Sequence, residues 1–478
     1  MDISEKKSLI RQKIIDFSLE SYLPIFTRDL KLGEVYAPKA GNLVNVVVGM
    51  RRCGKTYRLL QEVQALCERG ISMKNILYFN FEDERLRPFE HGLGNEVLEA
   101  FYELNPQAKI EGAYLFLDEV QEVPDWGIWL RRVVDTEKAT LYVTGSSAKI
   151  LSADVATEFR GRSITSELLP FGYREYVRFH EMDQGMRQGD GSLVLSNCLV
   201  EPSPCSTPLI ASEIESLSSF RQIVLNQHFK DYLIRGGFPA VQKEDDERAT
   251  GLLQLYAQQV VARDVIERHN LSNPQVVSAF ARQALAYNGR ELSLRKSEDR
   301  LRSLGLKTSR NSLSESLSYF EDAFLLASVL PFSRALADDP KVSAKVYAID
   351  PGLARANAPA PSEDLGQLFE CAAYLELRRN NPHRRERYIN SYKTKTGFEI
   401  DFIVGDALSE AGFELYQACL SVKNEQSFAR ETRALRKAMS ETCCNTSTIL
   451  TLEDKEQTLT YEEGTIRVIP LWKFSLMK

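Results

Sequence analysis

Residues 44–56 read VNVVVGMRRCGKT, and this stretch decides the fold of the N-terminal part of the chain. Its apolar, β-branched start predicts a buried strand, after which Gly49, Gly54, Lys55 and Thr56 follow the spacing G-x-x-x-x-G-K-[ST]. Glycines let backbone N–H groups turn inward around a phosphate, the lysine reaches the terminal phosphates, and the threonine hydroxyl ligates Mg²⁺. The stretch therefore predicts a site for ATP and Mg²⁺, formed by Gly49, Arg51, Arg52, Cys53, Gly54, Lys55, Thr56 and Tyr57.

Apolar residues at helical spacing occupy residues 57–69, which predicts a helix whose N-terminus faces the bound phosphate. Strand-like and helix-like segments then alternate as far as about residue 171. The strands are expected at 44–48, 76–81, 114–117 and 140–144. This alternation predicts an α/β fold, in which helices cover both faces of a parallel sheet.

An acidic pair ends the third of these strands, where the sequence reads YLFLDEV. Open α/β sheets bind ligands at the carboxyl ends of their strands, so we expect Asp118 to hold Mg²⁺ and Glu119 to polarise the attacking water. Acidic pairs are also common at solvated strand ends, and the phosphate loop in the same sheet is what favours catalysis. The second carboxylate, with a strand between the loop and the pair, favours an ATP hydrolase over a small-molecule kinase.

Two further groups are candidates for catalytic contacts with the γ-phosphate, beside Lys55 itself. Thr144 and Ser146 follow the next strand, where a hydroxyl either contacts the γ-phosphate or the lytic water, or caps the following helix. Arg162 is the candidate for neutralising charge in the transition state, in cis or from a neighbouring subunit. Arg51 and Arg52 are its rivals.

Composition limits the kind of protein. The 478 residues are 43% hydrophobic and 26% charged, as in globular proteins, and the net charge of −6 gives no global attraction to nucleic acid or anionic membranes. The eight cysteines form no C-x-x-C pair, which argues against structural zinc and a disulfide framework. The start of the chain lacks a signal-peptide pattern, and no apolar run approaches membrane-spanning length. We expect a cytoplasmic protein without membrane contacts.

Residues 180–219 are rich in Gly, Ser, Pro and Asp and predict a flexible insertion or connector. The following segment, 220–340, is mostly helical and ends in a pattern of short helices and a strand that suggests a winged helix-turn-helix. Within it, residues 281–310 carry eight basic and three acidic residues. This basic segment could contact DNA phosphates, or it could be a solvated face of a packing module, which we favour because the chain is acidic overall.

The remaining residues, 341–478, predict a second α/β unit. Its carboxylates resemble those of a restriction-endonuclease-like core, and the candidate site consists of Glu370, Glu399, Asp401 and Gln417. That chemistry requires an acid and a lysine on the strand after Asp401, where this chain has Gln417 and Cys419. We therefore favour a nuclease-like fold without nuclease activity, and keep Lys423 as a weak candidate for the missing lysine.

Several stretches together resemble a prokaryotic family of AAA-type ATPases that carry a C-terminal nuclease-like domain of unknown function. The similar stretches are VGMRRCGKT (48–56), LFLDEVQEV (115–123), TGSSAKIL (144–151), FRGRSITSELLPFGYREY (159–176), YLIRGGFP (232–239), YFEDAFLL (319–326), KVYAIDPGL (345–353), GQLFECAAYLELRR (366–379) and FEIDFIV (398–404). The resemblance implies an AAA core, a winged-helix lid and a nuclease-like tail. It also implies that Lys55 and Thr56 act on phosphate and Mg²⁺, Asp118 and Glu119 on metal and water, and Thr144–Ser146 as sensor.

The expected organisation has four parts. They are a P-loop ATPase domain at 1–179, a connector at 180–219, a helical and winged-helix domain at 220–340 and the nuclease-like domain at 341–478. The expected function is Mg²⁺-dependent ATP binding and hydrolysis that acts as a switch on the C-terminal domain, through which a protein client could bind. An ATP-regulated DNA-binding protein or nuclease is the alternative.

Overall fold

A computed structural model gives the structure of residues 3–33, 36–145, 161–187, 216–332, 343–358, 365–381, 388–405 and 412–477. The chain divides into two compact units. The first unit comprises residues 1–168 and 322–324, and the second comprises residues 169–321 and 325–478.

The first unit contains a five-stranded parallel sheet in the order β2-β3-β4-β1-β5. Its strands are β1 (Val44–Val48), β2 (Ile76–Asn80), β3 (Ala113–Asp118), β4 (Ala139–Gly145) and β5 (Ser163–Glu167). Its helices are α1 (Ile3–Asp16), α2 (Lys55–Glu68), α3 (Leu93–Leu104), α4 (Pro106–Glu111) and α5 (Trp126–Thr136). All residues of β1, β3 and β4 are buried, as expected for central strands of a sheet that is covered on both faces.

The predicted strands and helices of this unit are confirmed, apart from their end points. The predicted α/β fold class is therefore confirmed, with a parallel P-loop core. The sequence analysis missed β5, because the residues of SITSE are polar or half-buried at the sheet edge and lack an apolar run. In the parallel pairing of β5 with β1, Ser163 lies beside Val44 and Glu167 beside Val48.

The second unit contains two sheets. The strands β6 (Arg290–Glu291), β7 (Leu326–Val329) and β8 (Lys345–Ala348) form an antiparallel sheet in the order β6-β8-β7. The other sheet is mixed and has the order β13-β14-β12-β11-β10-β9. Its strands are β9 (Ile389–Lys393), β10 (Glu399–Gly405), β11 (Phe413–Ala418), β12 (Thr446–Thr451), β13 (Gln457–Tyr461) and β14 (Gly464–Pro470).

Helices make up most of the rest of the second unit. They are α6 (Tyr173–Arg187), α7 (Ser219–Arg235), α8 (Asp246–Gln259), α9 (Pro274–Ala286), α10 (Leu294–Ser303), α11 (Arg310–Asp322), α12 (Pro351–Ala356), α13 (Leu365–Arg379), α14 (Glu425–Thr442) and α15 (Leu471–Leu476). A π-helical segment, Val260–Glu267, directly continues α8.

The boundary predicted between residues 340 and 341 does not follow the sheets. The strand that was expected to open the C-terminal domain, β8, pairs with β6 and β7 from the preceding segment. Apolar runs in a sequence show that a strand is buried but not which strand it pairs with, so the pattern assigned β8 to the wrong sheet. Residues 274–348 thus follow the order helix, strand, helix, helix, strand, strand.

Three of the stretches that carry the family resemblance (159–176, 232–239 and 345–353) meet at one place in the second unit, which we call the glycine junction. Gly237 and Gly352 lie so close to other backbone that a methyl group has no room, and a Cβ on Gly236 would collide with the carboxylate of Asp350. A Cβ on Gly237 would lie 2.1 Å from the Phe171 carbonyl oxygen, and one on Gly352 would lie 2.3 Å from that of Arg235. The junction explains why glycine is needed in YLIRGGFP and DPGL: both stretches are packed, rather than shaped for a ligand.

No helix among the described residues is long and apolar enough to cross a membrane.

Candidate nucleotide site

The loop between β1 and α2 is fixed at both ends. Gly49 and Gly54 have φ angles of 152° and 102°, in the region that favours glycine, and α2 begins at Lys55 directly after Gly54. A Cβ on Gly49 would lie 2.3 Å from the carbonyl oxygen of Leu168, so this position excludes other side chains. The loop is thereby held in the shape of an anion-binding turn at a helix N-terminus.

Lys55 is buried and its ammonium group points back into the loop. Nζ donates hydrogen bonds to the carbonyl oxygens of Gly49, at 3.1 Å, and Met50, at 3.3 Å. It also lies 3.4 Å from Oε1 of Glu119. Burial lowers the pKa of Lys55, but the charges of Glu119, Cys53 and Asp118 together outweigh burial and raise the pKa above its ordinary value. The side chain is therefore a cation at neutral pH, inside the loop that would enclose the phosphates.

Asp118 ends β3 and is fully buried. Its Oδ2 accepts hydrogen bonds from Thr56 Oγ1 at 2.7 Å, from Tyr78 Oη at 3.0 Å and from Asn80 Nδ2 at 3.2 Å. Its Oδ1 accepts a hydrogen bond from the Thr144 hydroxyl. Burial, and then the charge of Glu119, raise the pKa of Asp118, while the hydroxyl donors oppose the shift. The carboxylate is thus held rigidly beside the threonine that follows Lys55.

Glu119 lies just beyond β3 with a φ angle of 54°, a left-handed conformation that is uncommon for a residue with a side chain. Its backbone N–H donates to the Thr144 hydroxyl at 2.9 Å, and its Oε2 accepts a hydrogen bond from Gln121 Nε2 at 2.6 Å. Burial raises the pKa of Glu119, but Lys55 and the Gln121 hydrogen bond outweigh burial and hold the pKa below its usual range. Lys55 and Gln121 therefore favour the ionised form of Glu119.

The residues present fit Mg²⁺ and ATP. A carboxylate and a hydroxyl are hard oxygen ligands of the kind that Mg²⁺ prefers, and here they lie within hydrogen-bond distance of each other. A buried lysine cation and the N-terminus of α2 supply the charge that phosphates require. Among the described residues, no three His, Cys, Asp or Glu side chains come together to form a metal site, so a cation here would rely on Thr56, Asp118 and the nucleotide.

The other predicted loop residues lie around this centre with different partners. Arg51 forms an ion pair with Glu82 at 2.7 Å, and the ring of Tyr57 is partly exposed and makes an edge contact with Tyr22. Cys53 is buried, which raises the pKa of its thiol. Arg52 has a φ angle of 69°. These residues are neighbours of Lys55 in the loop, and it is Lys55 whose ammonium group points at the loop carbonyl oxygens of Gly49 and Met50.

Arg162 lies away from the predicted centre. It directly precedes β5, and its carbonyl oxygen accepts a hydrogen bond from the N–H of Val44, at the start of β1. The phosphate loop follows the opposite end of β1, roughly 16 Å away for a five-residue strand. Its guanidinium pairs with Asp135 on the surface. The register therefore separates Arg162 from the phosphate loop in this structure, and its role in the transition state, in cis or on a neighbouring subunit, stays a prediction. Ser146 lies outside the described residues.

Three residues of the site were missed in the sequence. Tyr78 and Asn80 lie on β2, where Asn80 pairs with Asp118 in the strand register, and Gln121 follows Glu119 by two residues. A signal was present for two of them. Asn80 ends the strand next to β3, where ligands of an α/β sheet gather, and Gln121 follows the acidic pair by two residues in the stretch DEVQEV. Nothing in the sequence distinguishes Tyr78 from an aromatic residue of the hydrophobic core.

The predicted C-terminal residues converge only in part. Glu370 and Asp401 both contact the ammonium group of Lys345, and the Gln417 amide oxygen accepts a hydrogen bond from the backbone of Asp401. Glu399 instead forms an exposed pair with Lys393 at 3.1 Å. Lys423, the candidate for a migrated lysine, lies 3.8 Å from Asp454. The lysine that does reach the carboxylates, Lys345, was missed because it is distant in sequence.

Residues 41–177 match the model of a family described as an AAA domain, and residues 226–364 match that of a domain of unknown function. An uncharacterized protein of Methanocaldococcus jannaschii is 27% identical over 99% of this chain and 96% of its own length. An uncharacterized protein of Haemophilus influenzae is 22% identical over 80% of this chain and 84% of its own. With the sheet and loop described above, the family match shows that the chain carries an ATP-binding AAA-type P-loop domain.

Two solved structures show weaker likenesses. The Walker-type ATPase PABY2304 of Pyrococcus abyssi is 15% identical, with a TM-score of 0.37 over 74% of this chain and 95% of that chain. The ORC1 protein of Aeropyrum pernix, solved in complex with DNA, is 16% identical, with a TM-score of 0.30 over 75% of this chain and 92% of that chain.

Proposed function

We propose that the AAA domain hydrolyses ATP with Mg²⁺ and that its nucleotide state acts as a switch on the C-terminal domain. The observation that carries the proposal is the convergence of Lys55, Thr56, Asp118 and Glu119 at the carboxyl ends of β1 and β3. Such a set combines a phosphate-binding cation, a pair of metal-binding oxygens and an ionised base within one buried centre.

Each residue has a distinct task in this proposal. Lys55 exchanges the carbonyl oxygens of Gly49 and Met50 for phosphate oxygens, and Thr56 and Asp118 hold the cation. Bound Mg²⁺ neutralises phosphate charge and orients the nucleotide. Glu119 accepts a proton from the attacking water, for which its lowered pKa keeps it ionised at neutral pH. Gln121 holds the Glu119 carboxylate in place.

The coupling to the rest of the chain starts at Gly49. This glycine touches the carbonyl oxygen of Leu168, whose N–H also donates to the carbonyl oxygen of Val48 at 2.8 Å. Leu168 is the last residue of this stretch of the first unit, and the second unit begins at Leu169. A change in the loop on nucleotide binding would therefore act directly on the segment that leads into the second unit.

The test uses Lys55→Ala, which removes the phosphate-binding cation, and Lys74→Ala as the matched control on the surface. The wild type and the control should bind and hydrolyse ATP, and ATP should change deuterium uptake within residues 216–332 of both. Lys55→Ala should lose ATP binding, turnover and the change in uptake together. ATP turnover that persists in Lys55→Ala would refute the site, while turnover without any change in uptake would refute the switch.

A second function, DNA binding, is favoured by the surface of residues 274–348, whose element order is that of a winged helix-turn-helix. All eight basic residues of the segment 281–310 are exposed, whereas Glu298, one of its three acidic residues, is buried against Arg302 and Arg310. Glu298 compensates part of the charge of Arg302 and Arg310, and the remaining basic side chains keep the exposed face positively charged. Phosphate contacts release counterions, so binding through this face weakens steeply as salt rises.

Fluorescence anisotropy with duplex DNA at two salt concentrations tests this second function. Binding through the basic segment predicts that Lys296→Ala and Arg300→Ala each weaken the affinity and flatten the salt dependence, while Lys395→Ala, an exposed lysine elsewhere, leaves both unchanged. Equal salt slopes for all variants would show that the basic segment does not contact DNA.

A further inference from the structure

The strongest feature outside the nucleotide site is the carboxylate cluster of the second unit, with Lys345 at its centre. Nζ of Lys345 lies 3.0 Å from Oε1 of Glu370, on α13, and 3.1 Å from Oδ1 of Asp401, on β10. The three side chains are between 13% and 19% exposed, so the group is largely shielded from water. Two oxygens from different elements therefore converge on one nitrogen.

The second oxygen of Asp401 and the hydroxyl of Tyr347 complete the arrangement. Oδ2 of Asp401 accepts a hydrogen bond from the N–H of Ala418 at 3.0 Å, and Tyr347 donates to Oε1 of Glu370 at 2.6 Å. The Tyr347 ring stacks on Tyr374 with a centroid distance of 4.7 Å. Each carboxylate thus has one oxygen fixed towards the same point, which is how proteins prepare a place for a cation.

The ammonium group of Lys345 lies at the point where the two carboxylates converge, and it is positively charged there. Burial lowers the pKa of Lys345, but the charges of Asp401 and Glu370 outweigh burial and raise it above the ordinary value. Burial, and then the charge of Asp401, raise the pKa of Glu370 to about 7. The ammonium group lies within hydrogen-bond distance of both carboxylates and therefore compensates their charge at the point where a second cation would have to bind.

We propose that Glu370 and Asp401 form a cation site that the chain fills with its own lysine, so that Lys345 prevents a divalent metal ion from binding there. A divalent ion in the same place would lie within a few Å of the ammonium group, and the repulsion between them in a poorly solvated site is large. Glu370 and Asp401 then stabilise the packing of β8, α13 and β10 instead of holding a metal.

Mn²⁺ titration of the nucleotide-free, full-length protein, followed by electron paramagnetic resonance of the free ion, tests the proposal. Lys345→Met keeps the length of the side chain but removes its charge. The variant should bind one Mn²⁺ more than the wild type does, and should bind it at least ~10-fold more tightly than the wild type binds any Mn²⁺ at Glu370 and Asp401. Adding Asp401→Asn to Lys345→Met should abolish the gain. Lys393→Met, which removes the exposed partner of Glu399 on the neighbouring strand, should behave as the wild type.

Two results would overturn the proposal. One is Mn²⁺ uptake by the wild type that Asp401→Asn abolishes, because the site would then accept a metal beside the lysine. The other is a folded Lys345→Met that gains no Mn²⁺, because the two carboxylates would then form no cation site. If Lys345→Met does not fold, Lys345→Gln replaces it. The comparison of Mn²⁺ uptake between the wild type and Asp401→Asn can still overturn the proposal without either lysine variant.

Discussion

At the residue scale, Asp118 and Glu119 show how neighbours in sequence acquire opposite properties. Both are buried, and burial alone would raise both pKa values. The pKa of Asp118 is raised further by the charge of Glu119, whereas that of Glu119 is lowered by Lys55 and Gln121. The direction of each shift suits the proposed division of tasks, with an ionised base at Glu119 and a hydroxyl-bound ligand at Asp118.

Thr144 illustrates a residue whose two interpretations are both reasonable from sequence. Its hydroxyl donates to Asp118 and accepts the N–H of Glu119, so it ties the ends of β3 and β4 together. A γ-phosphate contact would have to coexist with these bonds, since a hydroxyl has only one proton to donate. Thr144 therefore fits a positioning role for the acidic pair, and its role as a sensor stays a prediction.

At the element scale, the glycine junction depends on one buried carboxylate. Asp350 accepts hydrogen bonds from the N–H of Gly237, at 2.6 Å, and from that of Leu353, at 2.8 Å, where it caps α12. Burial raises its pKa from 3.8 to about 6, against the effect of these two donors. The folded state thus favours the neutral acid relative to the unfolded chain.

This shift predicts a pH dependence of stability. Because the pKa is higher in the folded state, the contribution of Asp350 is full below about pH 4 and is lost as the pH rises through about 6, by ~3 kcal/mol at most. Asp350→Asn cannot ionise, so it should be less stable than the wild type at pH 4 and should recover part of that difference by pH 6.5. Thermal unfolding between these pH values measures the difference in Tm.

Asp299→Asn, at an exposed position in α10, provides the control and should show no such trend. A difference between Asp350→Asn and the wild type that stays constant from pH 4 to pH 6.5 would mean that Asp350 does not titrate in this range in the folded protein.

Elements were predictable from sequence where local pattern determines them. The parallel strands with apolar runs and the loop between β1 and α2 could be found because burial and glycine spacing are properties of contiguous residues. Edge strand β5 and the partner of β8 could not, because pairing depends on residues far along the chain. The same limit explains why Lys345 and Tyr78 were missed: each reaches its carboxylate only through the fold.

At the scale of the whole molecule, the chain consists of an ATP-binding AAA-type unit followed by a larger unit with two sheets. One of the points where the chain passes between them directly follows Leu168, which contacts the first glycine of the phosphate loop. The second unit is stabilised by contacts within itself, among them the glycine junction and the ion pairs of Lys345. This division suits a protein in which the first unit does chemistry and the second provides the output.

The most direct test of the proposed ATPase is single-turnover hydrolysis by Glu119→Gln, with ATP binding measured on the same samples. The variant keeps the size of the side chain but cannot accept the proton from water, so it should bind ATP as the wild type does and hydrolyse it at least ~10²-fold more slowly. Glu122→Gln, three residues further along the chain, should retain wild-type turnover. Unchanged turnover in Glu119→Gln, with ATP bound, would contradict the assignment of Glu119 as the base.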